Sequence, residues 1–198
     1  MELFRISVLV SGNGSDLQSI IDAVEDGTIP NSKIVGVISS SANAYALERA
    51  KQHEIPYAAV TKFEYADLRD RFDAILRILD GEHPDLIVLA GYLSILPPKV
   101  VQKYAGRIIN IHPALLPKFG GKDFYGIKVH EAVLAAGETE SGATVHYVDE
   151  GIDTGKIILQ EKVPVMPGDD PQTLRERVLE VEHRILPEAI AMIEKERH

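Results

Sequence analysis

The run Asp85-Leu86-Ile87-Val88-Leu89-Ala90 constrains this chain more than any other. It lacks the polar–apolar alternation of a strand with one face in water. A short, almost uninterrupted apolar run of this kind reads as a strand covered on both faces, the condition of a parallel sheet with helices on either side. Residues 4–10, 34–38 and 107–111 have the same character, and 57–60 reads as a further strand. Apolar residues at helical spacing lie between them: Leu17, Ile20, Ile21 and Val24, with Gly27 and Pro30 as stops; the stretch 44–52; and Leu68, Phe72, Ile75, Leu76 and Leu79. Strand–helix alternation over the first two-thirds predicts an α/β fold with a doubly wound, mostly parallel sheet.

The remainder reads differently. Residues 113–126, with Pro113, Pro117, Gly120 and Gly121, predict a long surface loop. A helix over 129–136 follows. Residues 144–148 and 156–165, joined by a turn at 150–155, predict an antiparallel strand pair added near one edge. Asp170 as N-cap and Pro171 at the first helical position open a last helix. Its apolar stripe is Leu174, Val178, Val181, Ile185, Ala189 and Met192. With no repeat, no low-complexity tract and no linker, residues 1–198 are expected to form one domain.

Composition narrows the chemistry. The chain has no Cys, which excludes disulfides, thiolate catalysis and Cys-based metal sites. Lys plus Arg total 21 and Asp plus Glu 30, a net charge of 21 − 30 = −9, which argues against nucleic acid or an anionic membrane surface as partner. No segment approaches the ~20 apolar residues of a membrane span, and the N-terminal residues lack the basic and apolar regions of a secretory signal. A cytoplasmic location is the expectation.

Three features could carry chemistry. Ser11-Gly12-Asn13-Gly14-Ser15-Asp16 lies between a strand and a helix. Its glycines permit a sharp turn, and a helix start exposes amide groups that favour phosphate. The same residues also read as a plain tight turn with Ser15 or Asp16 as N-cap. Asn110 and His112, two apart at a strand end, project from one face while Ile111 points the other way. An amide donor beside an imidazole can stabilise an oxyanion and move a proton; the plainer alternative is that both satisfy local backbone groups. The turn Asp149-Glu150-Gly151-Ile152-Asp153 could supply a carboxylate to orient His112 and raise its pKa, or could be a solvated acidic hairpin loop. His146, on an alternating strand, reads as a core histidine or as one supporting the site. His130, His183 and His198 carry no spacing of their own, and no histidine pair has a metal-binding spacing.

In this order the segments Ser11-Gly12-Asn13-Gly14-Ser15, Ala90-Gly91-Tyr92-Leu93-Ser94-Ile95-Leu96, Asn110-Ile111-His112-Pro113-Ala114-Leu115-Leu116-Pro117 and Gly142-Ala143-Thr144-Val145-His146 through Asp153-Thr154-Gly155 resemble the 10-formyltetrahydrofolate-dependent formyltransferases. The glycine turn and Glu182-His183 resemble the phosphoribosylglycinamide formyltransferase branch of purine synthesis. The resemblance runs from Ile6 to about Ile193. It implies a Rossmann-like formyltransferase fold and a catalytic trio of Asn110, His112 and Asp153. It also implies binding of 5-phosphoribosylglycinamide (GAR) by Gly12, Asn13, Gly14, Ser15, Asp16, Leu179 and Glu182. The folate would be held by Arg69, Leu93, Ser94, Ile95, Leu96, Asn110, Asp149, Glu150, Gly151, Ile152 and Asp153. No metal is implied, and the assembly would be a monomer or a homodimer.

Departures from the family pattern are Asp16 where Asn is common, Ser94 where Arg is common, Leu179 in place of a polar residue, and a segment 119–129 longer than in some relatives. Two other readings are a relative formylating another amine, such as a nucleotide sugar or initiator tRNA, and a non-catalytic nucleotide-binding module. Net charge −9 and a chain ending at His198 speak against tRNA, whose enzyme carries a further basic domain. A formyl-folate hydrolase would need an added N-terminal domain. A binding module has no use for Asn110, His112 and Asp153 together.

Overall fold

The computed structural model describes residues 2–197; Met1 and His198 lie outside the described residues. The elements are β1 (Phe4–Val10), α1 (Ser15–Glu25), β2 (Ser32–Ser39), α2 (Tyr45–Gln52), β3 (Tyr57–Ala59), α3 (Leu68–Glu82), β4 (Leu86–Leu89), α4 (Pro98–Lys103), β5 (Ile108–His112), α5 (Ile127–Ala135), β6 (Glu140–Tyr147), β7 (Ile157–Pro164) and α6 (Pro171–Glu196). The sheet order is β3-β2-β1-β4-β5-β6-β7. The first five strands are parallel, and β6 and β7 are antiparallel additions at one edge.

The uniform apolar runs are explained by burial on both faces. Ile6, Val8 and Val10 of β1 and Leu86 and Val88 of β4 pack with Leu17, Ile20 and Ile21 of α1 and Val178, Ile185 and Ile190 of α6. The alternate residues Leu9, Ile87 and Leu89 meet Ala74, Ile75 and Leu79 of α3 and Val100 and Tyr104 near α4. The chain winds outward from β1 through β2 and β3, then returns to lay β4 on the other side of β1. In open α/β sheets the crevice at such a switch in strand order is where ligands bind. Here it lies between the turn after β1 and the segment after β4.

Three expectations change. A short helix, α4, follows Pro97, with Pro98 at its first position, in a segment for which the sequence reading assigns no element; proline breaks a helix interior but suits its first turn. β6 starts at Glu140 rather than at 144. The segment 113–126 has no helix or strand, yet Ala114 and Leu116 are buried, so its first half is structural lining rather than surface loop. Thr144 Oγ1 donates to the Ala114 carbonyl (2.6 Å), and Leu116 N donates to Thr144 Oγ1 (3.2 Å).

Candidate active site

At the end of β5, Ile109 and Ile111 enter the core on one face, while Asn110 and His112 occupy the other, as the period of two requires. β6 pairs so that His146 lies opposite Asn110 and Thr144 opposite His112. The turn after β6 folds back over this face and delivers Asp153, whose backbone has φ 57°. Gly155 is needed there: a Cβ would stand 1.7 Å from the Tyr147 carbonyl oxygen. Asp153 Oδ2 lies 3.6 Å from His112 Nδ1 and accepts from the Gly121 amide at 3.0 Å, and Oδ1 lies 3.5 Å from His146 Nε2. The structure thus brings together the three residues expected to be catalytic, and adds His146.

The hydrogen bonds assign the protons. A carbonyl only accepts. His112 Nε2, 2.7 Å from the Phe119 carbonyl, therefore carries hydrogen, which makes Nδ1, facing Asp153, the basic nitrogen of the neutral ring. His146 Nδ1 donates to the Tyr147 carbonyl at 2.9 Å, so its Nε2 accepts from Asn110 Nδ2 at 3.1 Å. The Asn110 amide is thereby oriented, with its second N–H left for another acceptor.

Electrostatics correct one expectation. Asp153 and the Phe119 carbonyl do raise the His112 pKa, but burial is the larger effect, and His146 adds to it, so His112 sits below 6.5. The site therefore favours the neutral ring over a standing imidazolium. Burial, which lowers His112, raises Asp153; the hydrogen bond from the Gly121 amide and the charge interactions with the two imidazoles outweigh that, and its carboxyl lies below the ordinary value.

The turn after β1 is the second part of the site. Gly14, at φ 77°, is the N-cap of α1 and no side chain caps the helix, so neither Ser15 nor Asp16 plays that part. A Cβ on Gly14 would come within 2.5 Å of Ala46 Cβ. Asn13 is held by Arg49, whose Nε donates to its carbonyl and Nη2 to its Oδ1, both at 2.9 Å. Ser11 Oγ lies 2.6 Å from Ser40 Oγ and accepts from the Leu93 amide at 2.7 Å, tying the turn to the segment after β4 across the crevice. Asp16 and Glu182 are both buried. His183 Nε2 stands 3.7 Å from Asp16 Oδ1, and Leu179 is half-buried one turn earlier on α6. A cavity of about 500 Å³ opens beside Ser15, with Gln18, Asp22, Arg49 and His183 in its lining.

Of the residues expected to hold folate, Leu93 (64% exposed), Ile95 (74%) and Ile152 (60%) present apolar side chains to solvent. Ser94 and Leu96 are half-buried; Arg69 is exposed on the first turn of α3. Asp149 serves its own turn, accepting from the Gly151 amide and Thr154 Oγ1. Glu150 accepts from Gln102 of α4. Sequence reasoning included Ser11 in the turn after β1 without giving it a part in the site, and missed the Phe119 carbonyl, the Gly121 amide and Arg175. None of these three carries a local signal in the sequence. Among the described residues no group of three or more His, Asp or Glu side chains is arranged to hold a metal ion, and no helix is long and apolar enough to cross a membrane.

The formyl transferase domain family matches residues 4–190. This chain belongs to the formyl transferase family. It is 46% identical to a phosphoribosylglycinamide formyltransferase of Haemophilus influenzae, over 92% of this chain and 84% of that protein. It is also 46% identical to the trifunctional purine biosynthetic protein adenosine-3 of Drosophila pseudoobscura pseudoobscura, over 96% of this chain and 14% of that longer protein. The solved structure of the phosphoribosylglycinamide formyltransferase of Coxiella burnetii superposes with a TM-score of 0.89 at 42% identity, covering 99% of this chain and 89% of that one. The family's fold is the doubly wound, mostly parallel sheet described above, with β6 and β7 at its edge.

Proposed function

We propose that this formyltransferase moves the formyl group of 10-formyltetrahydrofolate to the glycine amine of GAR, giving formyl-GAR and tetrahydrofolate in purine biosynthesis. The observation that carries the reading is the cluster of Asn110, His112, His146 and Asp153 at the end of β5, on the sheet whose switch point holds the open N-terminus of α1. The N-terminal half then holds the substrate phosphate, at the 12–15 turn. The C-terminal half holds the reacting groups and, with the 93–96 segment and the 149–153 turn, the folate.

The chemistry needs no protein nucleophile, in keeping with a chain that has no Cys. The substrate amine adds to the formyl carbon. The developing oxyanion takes the second N–H of Asn110 and, in exchange for the Phe119 carbonyl, the Nε2–H of His112. The proton that the amine loses reaches His112 Nδ1 by way of Asp153, which faces that nitrogen, and Asp153 stabilises the imidazolium so formed. That proton then returns to the folate nitrogen as the C–N bond breaks. The test is direct: protein, GAR and 10-formyltetrahydrofolate are mixed and tetrahydrofolate formation is followed by absorbance. Turnover is the expected result; binding of both ligands without turnover would make the chain a binding module instead.

A further inference from the structure

Asp16 is the one residue of the 11–16 segment whose chemistry runs against an anion. It follows Ser15 in the first turn of an uncapped helix, and its carboxylate is nine-tenths buried. Its Oδ1 has no hydrogen-bond partner, and neither has the nearest ring nitrogen, His183 Nε2 at 3.7 Å. Glu182, on α6, is buried beside it and feels its charge. The cation acting on both acids is Arg175 of α6. His183 is held below its ordinary pKa by burial, and also by Arg49 of α2, while Asp22 of α1 opposes. Burial lifts Asp16 to about 6, Arg175 opposing, and lifts Glu182 well above the carboxylate range. The charge of Asp16 acts on Glu182, and two acids coupled in this way titrate as a pair, taking and losing protons jointly.

A phosphate dianion set at this helix start meets an acid pair that is already short of compensating charge. Repulsion from an ionised Asp16 would cancel much of what the helix terminus offers. A neutral carboxylic acid does the opposite, since its O–H donates to a phosphate oxygen. We propose that the Asp16–Glu182 pair takes up one proton as the substrate phosphate docks at the 12–15 turn, with Asp16 then serving as a neutral acid that donates a hydrogen bond to the phosphate. The inference rests on the proposed function for the identity of the phosphate ester. It makes substrate affinity proton-linked: each pH unit above the pair's titration weakens binding about tenfold, until the pKa of the bound state is reached. Asn at position 16, a permanent donor without charge, abolishes the linkage.

Two measurements test this. The first is KM for GAR from pH 6 to 9 in the wild-type enzyme and in Asp16→Asn. Ionisation of the substrate's own amine and phosphate is common to both and cancels in the ratio. The expected ratio of wild-type to variant KM rises at least tenfold between pH 6.5 and 8.5; a ratio that stays flat while formyl transfer proceeds overturns the proposal and leaves the function standing. The second needs wild-type protein alone: calorimetric titration with ribose 5-phosphate at pH 7.5, in two buffers of different ionisation heat. Uptake of close to one proton per site is expected. Binding without proton exchange, or no binding of the phosphate ester, overturns it. Proton-linked binding of ribose 5-phosphate together with no transfer to GAR would remove the proposed function and keep the phosphate site.

Discussion

Asp153 serves two imidazoles at once, 3.6 Å from His112 Nδ1 and 3.5 Å from His146 Nε2. Its charge is one of the effects that hold the His112 pKa up against burial. Asp153→Asn removes that charge, so the His112 pKa falls further. If His112 acts as the base, the acidic limb of kcat against pH moves to lower pH while the plateau drops. A limb that stays in place would sink the coupling. Asn110 and His112 are more exposed to direct test. Loss of one oxyanion donor costs about 10²–10³ in rate in known enzymes. Asn110→Ala and His112→Ala are therefore each expected to lower kcat at least a hundredfold, with a circular dichroism spectrum like the wild type. Near-normal turnover in either variant would rule out its assigned part.

At the scale of elements, the site depends on how β6 holds the segment after β5. Thr144 Oγ1 donates to the Ala114 carbonyl and accepts from Leu116 N and from Gln160 Nε2 at 2.9 Å, so the hydroxyl's one hydrogen and two lone pairs are all used. That clamp fixes the start of the strand-free stretch that runs to Phe119, whose carbonyl holds His112. Thr144→Val keeps the shape and leaves the buried Ala114 carbonyl and Leu116 amide short of a partner, a loss of about 2 kcal/mol in urea unfolding. It also frees the Phe119 carbonyl, so kcat should fall with little change in KM for folate; a stability loss with unchanged kcat would confine the clamp to folding. Much of this architecture is legible in the sequence, for identifiable reasons. β1 and the start of α6 are read to the residue because a buried run ends at a turn and because Asp170-Pro171 is a helix start. Asn110 and His112 are legible from the period of a strand. Asp153 is legible only as one of three carboxylates in a turn and through the family resemblance: its approach to His112 depends on that turn folding back over the sheet, and the sequence shows only glycines that would permit it. Arg175 is hidden among the other charges of α6, and a backbone carbonyl such as that of Phe119 leaves no trace in residue identity.

At the scale of the whole molecule, the buried ionisable groups pull stability in opposite directions with pH. His130 is buried, and burial, with Arg175 and His112, holds its pKa down at about 4. An unfolded chain protonates this ring near 6.5 and the folded one only near 4. Its contribution is therefore complete above 6.5 and is lost as pH falls through that window, about 3 kcal/mol in all. Asp16 runs the other way. The unfolded chain ionises it near 3.8 and the folded one near 6, so it weakens the fold as pH rises from 3.8 to 6 and stays a burden above. Asp16→Asn removes that burden. The variant should be more stable than wild type at pH 7, by about 3 kcal/mol in urea unfolding, and the gap should narrow by pH 4.5, where wild-type Asp16 is protonated anyway. Between those pH values the variant keeps the His130 loss without the Asp16 relief, so its stability falls more steeply with acid. An equal gap at both pH values would mean that Asp16 is not strained in the folded protein. A wide gap at pH 7 would place the strain at the substrate end of the molecule, where a phosphate ester and a proton relieve it together.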